Sequence, residues 1–392
     1  MKLQTLKGFR DFLPGQAKKR QYVVDTLKKV FELYGFEVLE TPALEYEEVL
    51  LGKYGDEGDK LMYRFKDRGL RKVALKYDQT VPLARVVAQY ELPTPFKRYQ
   101  IQPVWRAENP QKGRFREFLQ CDIDTVGLAS PYADAEIVVC TIKALESLGF
   151  KDFKVLINDR TVFAGMSPAD IRIIDKLKKI GQEKVLEELS DKSLLEKIES
   201  QKLTKDLEVI FMALEDLGVE KNKYEFLPTL ARGLDYYTGM IFEVEIAGYE
   251  AGSVVGGGRY DNLIGMFSGK QVPATGCAFG FDRILEAMQK LGLFPKDLTT
   301  TKVLVTVFSS ELASDSIQLA NKLRDAKVNT ELWLEGDTKL DKQLKYADQK
   351  EIPYVVIIGP DEVKNNTVTL KNMQTKEQQS FSQETLLKKF TD

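Results

Sequence analysis

Residues 97–127 read KRYQIQPVWRAENPQKGRFREFLQCDIDTVG. Two runs of alternating apolar and polar residues flank the turn-forming segment Asn109-Pro110-Gln111-Lys112-Gly113, which predicts an antiparallel pair of strands joined by a long loop. Residues two apart share a face of a sheet. Phe115, Leu119, Cys121 and Ile123 point one way, interrupted only by Glu117, while Arg116, Phe118, Gln120, Asp122 and Asp124 point the other. In the preceding strand Arg106 shares its parity with Gln102 and Gln100. A solvated face with salt bridges would account for any one of these charges. A planar cation, an aromatic ring, an amide and carboxylates on two adjacent strands are together the parts for holding a nucleotide and a small zwitterion.

Outward from this pair, residues 17–34 carry Val23, Leu27, Val30, Phe31 and Tyr34 at helical spacing. Gly35 ends that helix, and Phe36 to Glu40 alternates as a strand before Pro42. A second helical pattern covers 133–148, followed by a short strand from Phe153 to Ile157. From about Asp170 to Glu220 the chain turns to Lys/Glu-rich helical segments with few aromatics, which predicts a helical insertion at about 165–225. Glycine density rises from Arg232 to Gly280, where strands and tight turns are expected. Leu298 to Lys302 reads as a linker that closes a domain of residues 1–300. Beyond it, in 301–392, strands Val303–Phe308, Thr330–Leu334 and Tyr354–Ile358 alternate with helices Glu311–Ala326 and Leu340–Gln349. That alternation predicts an independent α/β domain with a mostly parallel sheet.

The length of 392 residues suits two or three domains, and 43% hydrophobic with 30% charged residues describes an ordinary globular chain. Lys and Arg number 57 against 59 Asp and Glu, a net charge of −2, which excludes a histone-like nucleic-acid binder but not a local basic patch. No apolar run approaches the ~18 residues that span a bilayer. Met1 to Arg20 has neither an apolar signal core nor a transit-peptide bias, so no membrane association and a cytoplasmic location are expected. Cys121, Cys140 and Cys277 are scattered and form no C-x-x-C pair, which argues against a disulfide framework or a zinc knuckle. The chain has no histidine. Ser-His-Asp and Cys-His nucleophile systems, H-E-x-x-H zinc sites and imidazole bases are thereby excluded. Chemistry must run on carboxylates, arginines, lysines, hydroxyls, backbone amides or bound metal ions.

The string R-A-E-N-P-Q-K-G-R-F-R-E-F, from Arg106, resembles motif 2 of the class II aminoacyl-tRNA synthetases, and closely the version found in the histidyl-tRNA synthetases. Tyr34-Gly-Phe to Thr41-Pro42 resembles motif 1, which in that family builds a dimer interface, and Gly276-Cys-Ala-Phe-Gly-Phe-Asp-Arg283 resembles motif 3. Between them, Ala231-Arg-Gly-Leu-Asp-Tyr-Tyr237 and Gly257-Gly-Arg-Tyr-Asp261 are similar to the two signature peptides of the histidine enzymes. The motifs occur in order along essentially the whole chain. The resemblance implies an α+β fold: a class II antiparallel sheet core with helices, a helical insertion, and a C-terminal α/β anticodon-binding domain. The implied activity is ATP-dependent activation of L-histidine to histidyl-adenylate, followed by transfer to the 3′ end of tRNA(His).

Activation is attack of a carboxylate on the α-phosphate of ATP, with pyrophosphate leaving. Two anions must meet, so preorganised cations serve it well, and arginine matches phosphate bidentately. No proton need be abstracted, so the missing histidine is no obstacle. The resemblance assigns Arg106 to the α-phosphate and reacting carboxylate, Glu108 to the adenine amino edge, Phe118 to stacking on the base and Arg283 to the far phosphates. Arg232 would reach the α-phosphate from the amino-acid side. Mg²⁺ is expected with ATP, held largely by its phosphates, with no protein ligand named. Asp78, Thr80 and Gln120 match positions that hold the amino and carboxylate ends of histidine. Asp124 and Tyr237 match those that hydrogen-bond the two imidazole nitrogens, and Tyr260 lines the pocket. Positions 78 and 124 carry Asp where many bacterial relatives carry Glu, and the Y-D-Q-T and D-I-D spellings look more like the eukaryotic and archaeal branch. The glycines at 252 and 256–258 allow close backbone approach to a ligand but form no P-loop, since no G-K-[ST] follows.

Val303 to Phe390 resembles the anticodon-binding domain of this synthetase group, and Lys112, Arg114 and Arg116 are plausible contacts for the tRNA acceptor end. Asn109 takes a loop position where bacterial enzymes often carry Arg. A homodimer is expected from the motif 1 resemblance. The competing reading is a non-catalytic paralogue acting as a regulatory subunit of histidine biosynthesis; a third is a sensor of uncharged tRNA. Such paralogues usually lack the anticodon domain and have damaged signature peptides, whereas this chain keeps Arg106, Arg232, Arg283, the R-G-L-D-Y-Y peptide and the terminal domain.

Overall fold

The alternating runs at 96–105 and 117–126 are two ten-residue antiparallel strands, and a large sheet grows from them on both sides. The structure is a computed structural model that describes residues 3–51, 61–110, 113–232, 236–295 and 298–391. It divides into two compact units, Met1–Phe12 with Arg20–Phe294, and Leu13–Lys19 with Pro295–Asp392.

In the first unit the strands are β1 (Glu37–Val38), β2 (Leu44–Tyr46), β3 (Arg64–Lys66), β4 (Lys72–Leu75), β5 (Phe96–Trp105), β6 (Glu117–Val126), β7 (Phe153–Asp159), β8 (Tyr224–Phe226), β9 (Met240–Ile246), β10 (Val255–Arg259) and β11 (Ala274–Phe279). Eight of them form one sheet in the order β1-β5-β6-β11-β10-β9-β7-β8. Its inner pairings are all antiparallel, and only the short edge strands β1 and β8 pair in parallel. A smaller sheet, β2-β4-β3, stands apart.

One face of the large sheet is apolar. Tyr99, Cys121, Ile123, Cys277, Phe279, Phe242 and Val244 alternate inward and pack with helices Pro14–Leu33, Pro131–Ser147, Lys205–Asp216 and Phe281–Lys290. The Pro131–Ser147 helix starts at a proline, whose missing N–H costs nothing there, and Ser130 caps it by accepting from the Tyr132 amide at 3.3 Å. Inside the lysine- and glutamate-rich stretch, two kinds of helix differ in what they bury. Ile171, Ile174, Val185, Leu195 and Ile198, on the short helices between Pro168 and Glu199, make a small cluster of their own. Leu207, Ile210 and Leu214, at helical spacing, place the Lys205–Asp216 helix in the main core instead.

The second unit holds β12 (Val303–Val305), β13 (Thr330–Leu332), β14 (Tyr354–Ile357), β15 (Val368–Asn372) and β16 (Gln378–Phe381), in the order β13-β12-β14-β15-β16. β12, β13 and β14 are parallel as the alternation predicts, but β15 and β16 add an antiparallel hairpin, so the sheet is mixed. The hairpin turn is fixed by Asn372, whose side-chain oxygen accepts from the amides of Gln374 and Thr375 at 2.9 and 3.1 Å. Helices pack on both faces: Val303 and Val305 meet Leu319 and Leu323 on one side, while Leu304 meets Ala347 on the other.

Candidate active site

The face of the large sheet opposite the apolar core carries a ladder of polar pairs. In register across β5 and β6 stand Arg98 with Asp124, Gln100 with Asp122, Gln102 with Gln120, and Val104 with Phe118. Across β11 and β10 the same face continues through Gly276 and Gly258, then Ala278 and Gly256. Large polar side chains on two strands thus overlook a floor of glycine and alanine on the next two. This face is not solvated: Arg98, Gln100, Gln120, Asp122 and Asp124 are all buried.

The glycines set the depth of the floor. A Cβ on Gly276 would lie 2.1 Å from Asp124 Oδ1, and a Cβ on Gly256 would lie 1.7 Å from Arg232 Nη1. Each functional side chain therefore occupies space that any larger residue would fill.

At one end of the ladder Asp124 Oδ2 lies 2.7 Å from Arg98 Nη2, and Oδ1 accepts a hydrogen bond from the Tyr260 hydroxyl. Tyr236 packs edge-on against Tyr260 at 5.8 Å between ring centroids and stands 4.5 Å from Tyr237. The hydroxyl on Asp124 is therefore that of Tyr260; Tyr237 is one ring removed, accepts a weak 3.4 Å bond from Tyr236 and has the Arg232 guanidinium 5.6 Å from its ring. Burial pushes the Asp124 carboxyl up, opposed by the Arg98 charge and the Tyr260 hydrogen bond. Burial raises Asp122 to about 8, opposed by the Arg98 charge 3.9 Å away, while Asp124 and Asp78 add like charge. Gln120 Nε2 donates to Asp122 Oδ2 at 2.9 Å.

At the other end Arg106 follows β5. Its Nε donates to the Tyr77 carbonyl at 3.0 Å and its guanidinium lies 5.0 Å from the Phe118 ring centroid. The Glu108 carbonyl accepts from Arg116 Nε at 3.1 Å, and its carboxylate faces Arg114 at 3.9 Å. Arg283, in the first turn of the helix that follows β11, donates to the Ser253 carbonyl just ahead of β10 at 2.6 Å. Register puts the start of β6, the end of β11 and the start of β10 side by side, through Cys121, Phe279 and Val255. Arg106, Phe118 and Arg283 thus share one end of the sheet. Arg232 lies over Gly256, one step inward, paired with Glu243 Oε1 at 3.0 Å.

The segment 77–80 lies over the middle. Gln79 Nε2 donates to the carbonyls of Gln102 and Gln120 at 3.0 and 3.1 Å, fixing the chain where Asp78 is buried and Thr80 opens the Thr80–Gln89 helix. Lys76 anchors the same segment from below: its Nζ donates to the Thr41 carbonyl and hydroxyl at 3.1 Å and to Gln102 Oε1 at 2.6 Å. Burial lowers its ammonium to about 8.

Sequence reasoning missed Arg98 and Lys76, and gave Asp122 a face but no role. Arg98 was within reach, since it is the next residue on the parity of Gln100, Gln102 and Arg106. Arg259 belongs to scaffolding. Its Nε and Nη2 donate to Asp134 Oδ2 at 2.9 and 2.7 Å, and Nη1 and Nη2 donate to the carbonyls of Leu128 and Ser130. Lys112, and residues 233–235 of the R-G-L-D-Y-Y peptide, lie outside the described residues. Arg116 also donates to the Lys7 carbonyl at 3.4 Å, so only Arg114 of the three basic loop residues is both described and exposed.

Comparison with known proteins identifies the family. A family model described as histidyl-tRNA synthetase matches residues 8–169 and 161–284, and an anticodon binding domain model matches 302–392. The histidine–tRNA ligase of Cytophaga hutchinsonii is 42% identical over 434 residues, covering 95% of this chain and 96% of that protein. That of Gloeobacter violaceus is 41% identical over 450 residues, covering 97% and 96%. The crystal structure of histidyl-tRNA synthetase from Nostoc sp. PCC 7120 superposes with a TM-score of 0.88 at 31% identity, covering 99% of each chain.

Proposed function

The chain belongs to the histidyl-tRNA synthetase family, and from that premise we propose how its residues divide the work. It is an aminoacyl-tRNA ligase that charges tRNA with histidine. The observation that carries our reading of the site is the two-ended ladder: guanidinium groups and an aromatic ring at one end of a sheet face, buried carboxylates and tyrosines at the other, and a glycine floor between.

ATP binds at the Arg106 end. Phe118 stacks on adenine, Glu108 reads its amino edge, and Arg283 holds the far phosphates. Mg²⁺ enters with ATP and is held largely by its phosphates. Histidine binds at the Asp124 end, with Asp124 and Tyr237 on the imidazole nitrogens, Tyr260 lining the pocket, and Asp78, Thr80 and Gln120 on the amino and carboxylate groups. The substrate carboxylate oxygen attacks the α-phosphorus, the bond to the bridging oxygen breaks, and pyrophosphate leaves with the electron pair. Arg106 and Arg232 approach the α-phosphate from opposite sides and stabilise the charge that develops there. Both reactants lie on one rigid sheet, so much of the rate comes from positioning. The adenylate carbonyl is then attacked by the 3′-terminal hydroxyl of tRNA(His), releasing AMP.

A homodimer is supported by the exposed apolar side chains of Val38, Leu44, Tyr46 and Phe65 on the short strands around motif 1. A cytoplasmic location is supported by three free, buried cysteines. No helix among the described residues is long and apolar enough to cross a membrane. The regulatory-paralogue reading is not favoured, because the anticodon-binding domain is present. The test is ATP–pyrophosphate exchange with each of the twenty amino acids at fixed Mg²⁺. Exchange driven by histidine alone is expected. Exchange with another amino acid would discard the pocket assignment, and none at all would return the weight to the paralogue.

A further inference from the structure

Arg98 is the largest fully buried side chain among the described residues, with 0% of its surface exposed. A buried guanidinium is costly, and an apolar residue would fill the same space more cheaply. What it touches shows whether it is a clamp. Arg259, elsewhere on the same sheet, is one: all three of its nitrogens donate, to a carboxylate and to two carbonyls. Arg98 is bonded far less completely. Nη1 makes a 3.3 Å bond to Gln100 Oε1, and neither Nε nor Nη2 has a hydrogen-bond partner. Its one close contact is the 2.7 Å approach of Nη2 to Asp124 Oδ2, with Asp122 at 3.9 Å. Its main interaction is therefore the charge it presents to two carboxylates on the pocket face. Lys76 and Tyr260 also lie within electrostatic reach of it.

We infer that Arg98 is a positioning residue for histidine selection: it holds the Asp124 carboxylate ionised and in a single orientation across Gly276, with Asp122 as the second, balancing acid. The inference rests on Asp124 being the imidazole partner. Two buried carboxylates face Arg98, with the Lys76 ammonium in reach of Asp122, and the 2.7 Å contact makes Asp124 the better compensated of the two by Arg98. Tyr260 hydrogen-bonds the other oxygen, so the carboxylate is held by a hydrogen bond on Oδ1 and by the Arg98 charge on Oδ2. An ionised acceptor held this way meets an imidazole N–H without reorganising, which is how a supporting residue sharpens a binding site. Asp122, left with the weaker share of Arg98, accepts a hydrogen bond from Gln120 and so holds that amide in place.

The variants are Arg98→Met, Arg98→Lys, Asp124→Asn and the double variant R98M/D124N, each checked by thermal melting and assayed by pyrophosphate exchange with histidine and ATP varied separately. R98M and D124N are each expected to raise the KM for histidine by about tenfold or more, the scale of a lost charged hydrogen bond, without moving the KM for ATP. Because Arg98 acts through Asp124, the double variant is expected to be no worse than the weaker single variant. R98K, which keeps a charge but not the fork, should fall between wild type and R98M. Multiplying losses in the double variant, an unchanged KM for histidine in R98M, or equal rises for both substrates would overturn the inference. If R98M does not fold, R98K alone and combined with D124N decides by the same criteria. An unaffected D124N would instead sink the reading of Asp124 itself, with wild-type exchange still intact.

Discussion

Replacing Gly256 by alanine puts a methyl group where Arg232 now lies: the added Cβ would stand 1.7 Å from Nη1 and 2.6 Å from Cζ. The obstruction is the far end of a flexible side chain, so the strand need not move and the guanidinium swings away from Glu243. The lost Arg232–Glu243 contact should cost about 1 kcal/mol of stability, less than a clash with backbone would. Activity should not be spared. If Arg232 stabilises charge at the α-phosphate as a preorganised donor does, its displacement costs about 2.7–4 kcal/mol, or about 100- to 1000-fold in kcat. The neighbouring residue is the control. A Cβ on Gly257 would point to the other face of the sheet, 2.2 Å from the Gly276 carbonyl oxygen and 2.7 Å from Cys277 Cα, where backbone must give way. G257A should therefore cost about 1–3 kcal/mol of stability. Pyrophosphate exchange and thermal melting on both variants separate the two glycines: G256A slow but stable, G257A unstable. Wild-type kcat in G256A would refute the placement of Arg232 at the reacting phosphate. A melting loss in G256A equal to that of G257A would show that both glycines serve packing alone.

Arg283→Ala removes the cation held by the Ser253 carbonyl at 2.6 Å, and the KM for ATP should rise about 10- to 100-fold with the KM for histidine unmoved; a rise for histidine instead would misplace the nucleotide end. Arg259→Met leaves the buried Asp134 without its partner and should cost about 3–5 kcal/mol, read as a lower melting temperature, with partial recovery in R259M/D134N; an unshifted melt would deny Arg259 its scaffolding role. Lys76 should show itself in pH dependence. Its folded-state ammonium titrates at about 8 against an ordinary 10.5, so the unfolded chain binds more protons between those values and folding gains stability as pH rises through that window. The melting temperature of wild type minus that of K76M should climb from about pH 7.5 to 10, and a flat difference would contradict it.

What was legible in the sequence is what depends on period and order. Alternation at 96–126 carried the antiparallel pair and the sharing of one face by Arg106, Gln102, Gln120 and Asp124, because strand parity needs no knowledge of neighbours. The β15–β16 hairpin was not legible, since Gln378 to Phe381 lies at an edge with little buried and so lacks the apolar alternation that marks a strand. The Lys205–Asp216 helix follows the short helices within one charged stretch, and what its apolar side meets is a tertiary fact. The charges that govern the pocket were hidden for a related reason. An aspartate pair on a strand reads as a salt-bridged surface until register sets Arg98 directly opposite Asp124 and lays Asp124 beside Gly276, which has no covering side chain of its own. Burial then inverts the meaning of each charge. In water Arg98 and Asp122 would contribute little to one another, whereas in the closed face burial raises both carboxyls and the Arg98 charge opposes it. Side-chain identity at these positions is local information, but the electrostatic environment of each carboxyl belongs to the assembled face.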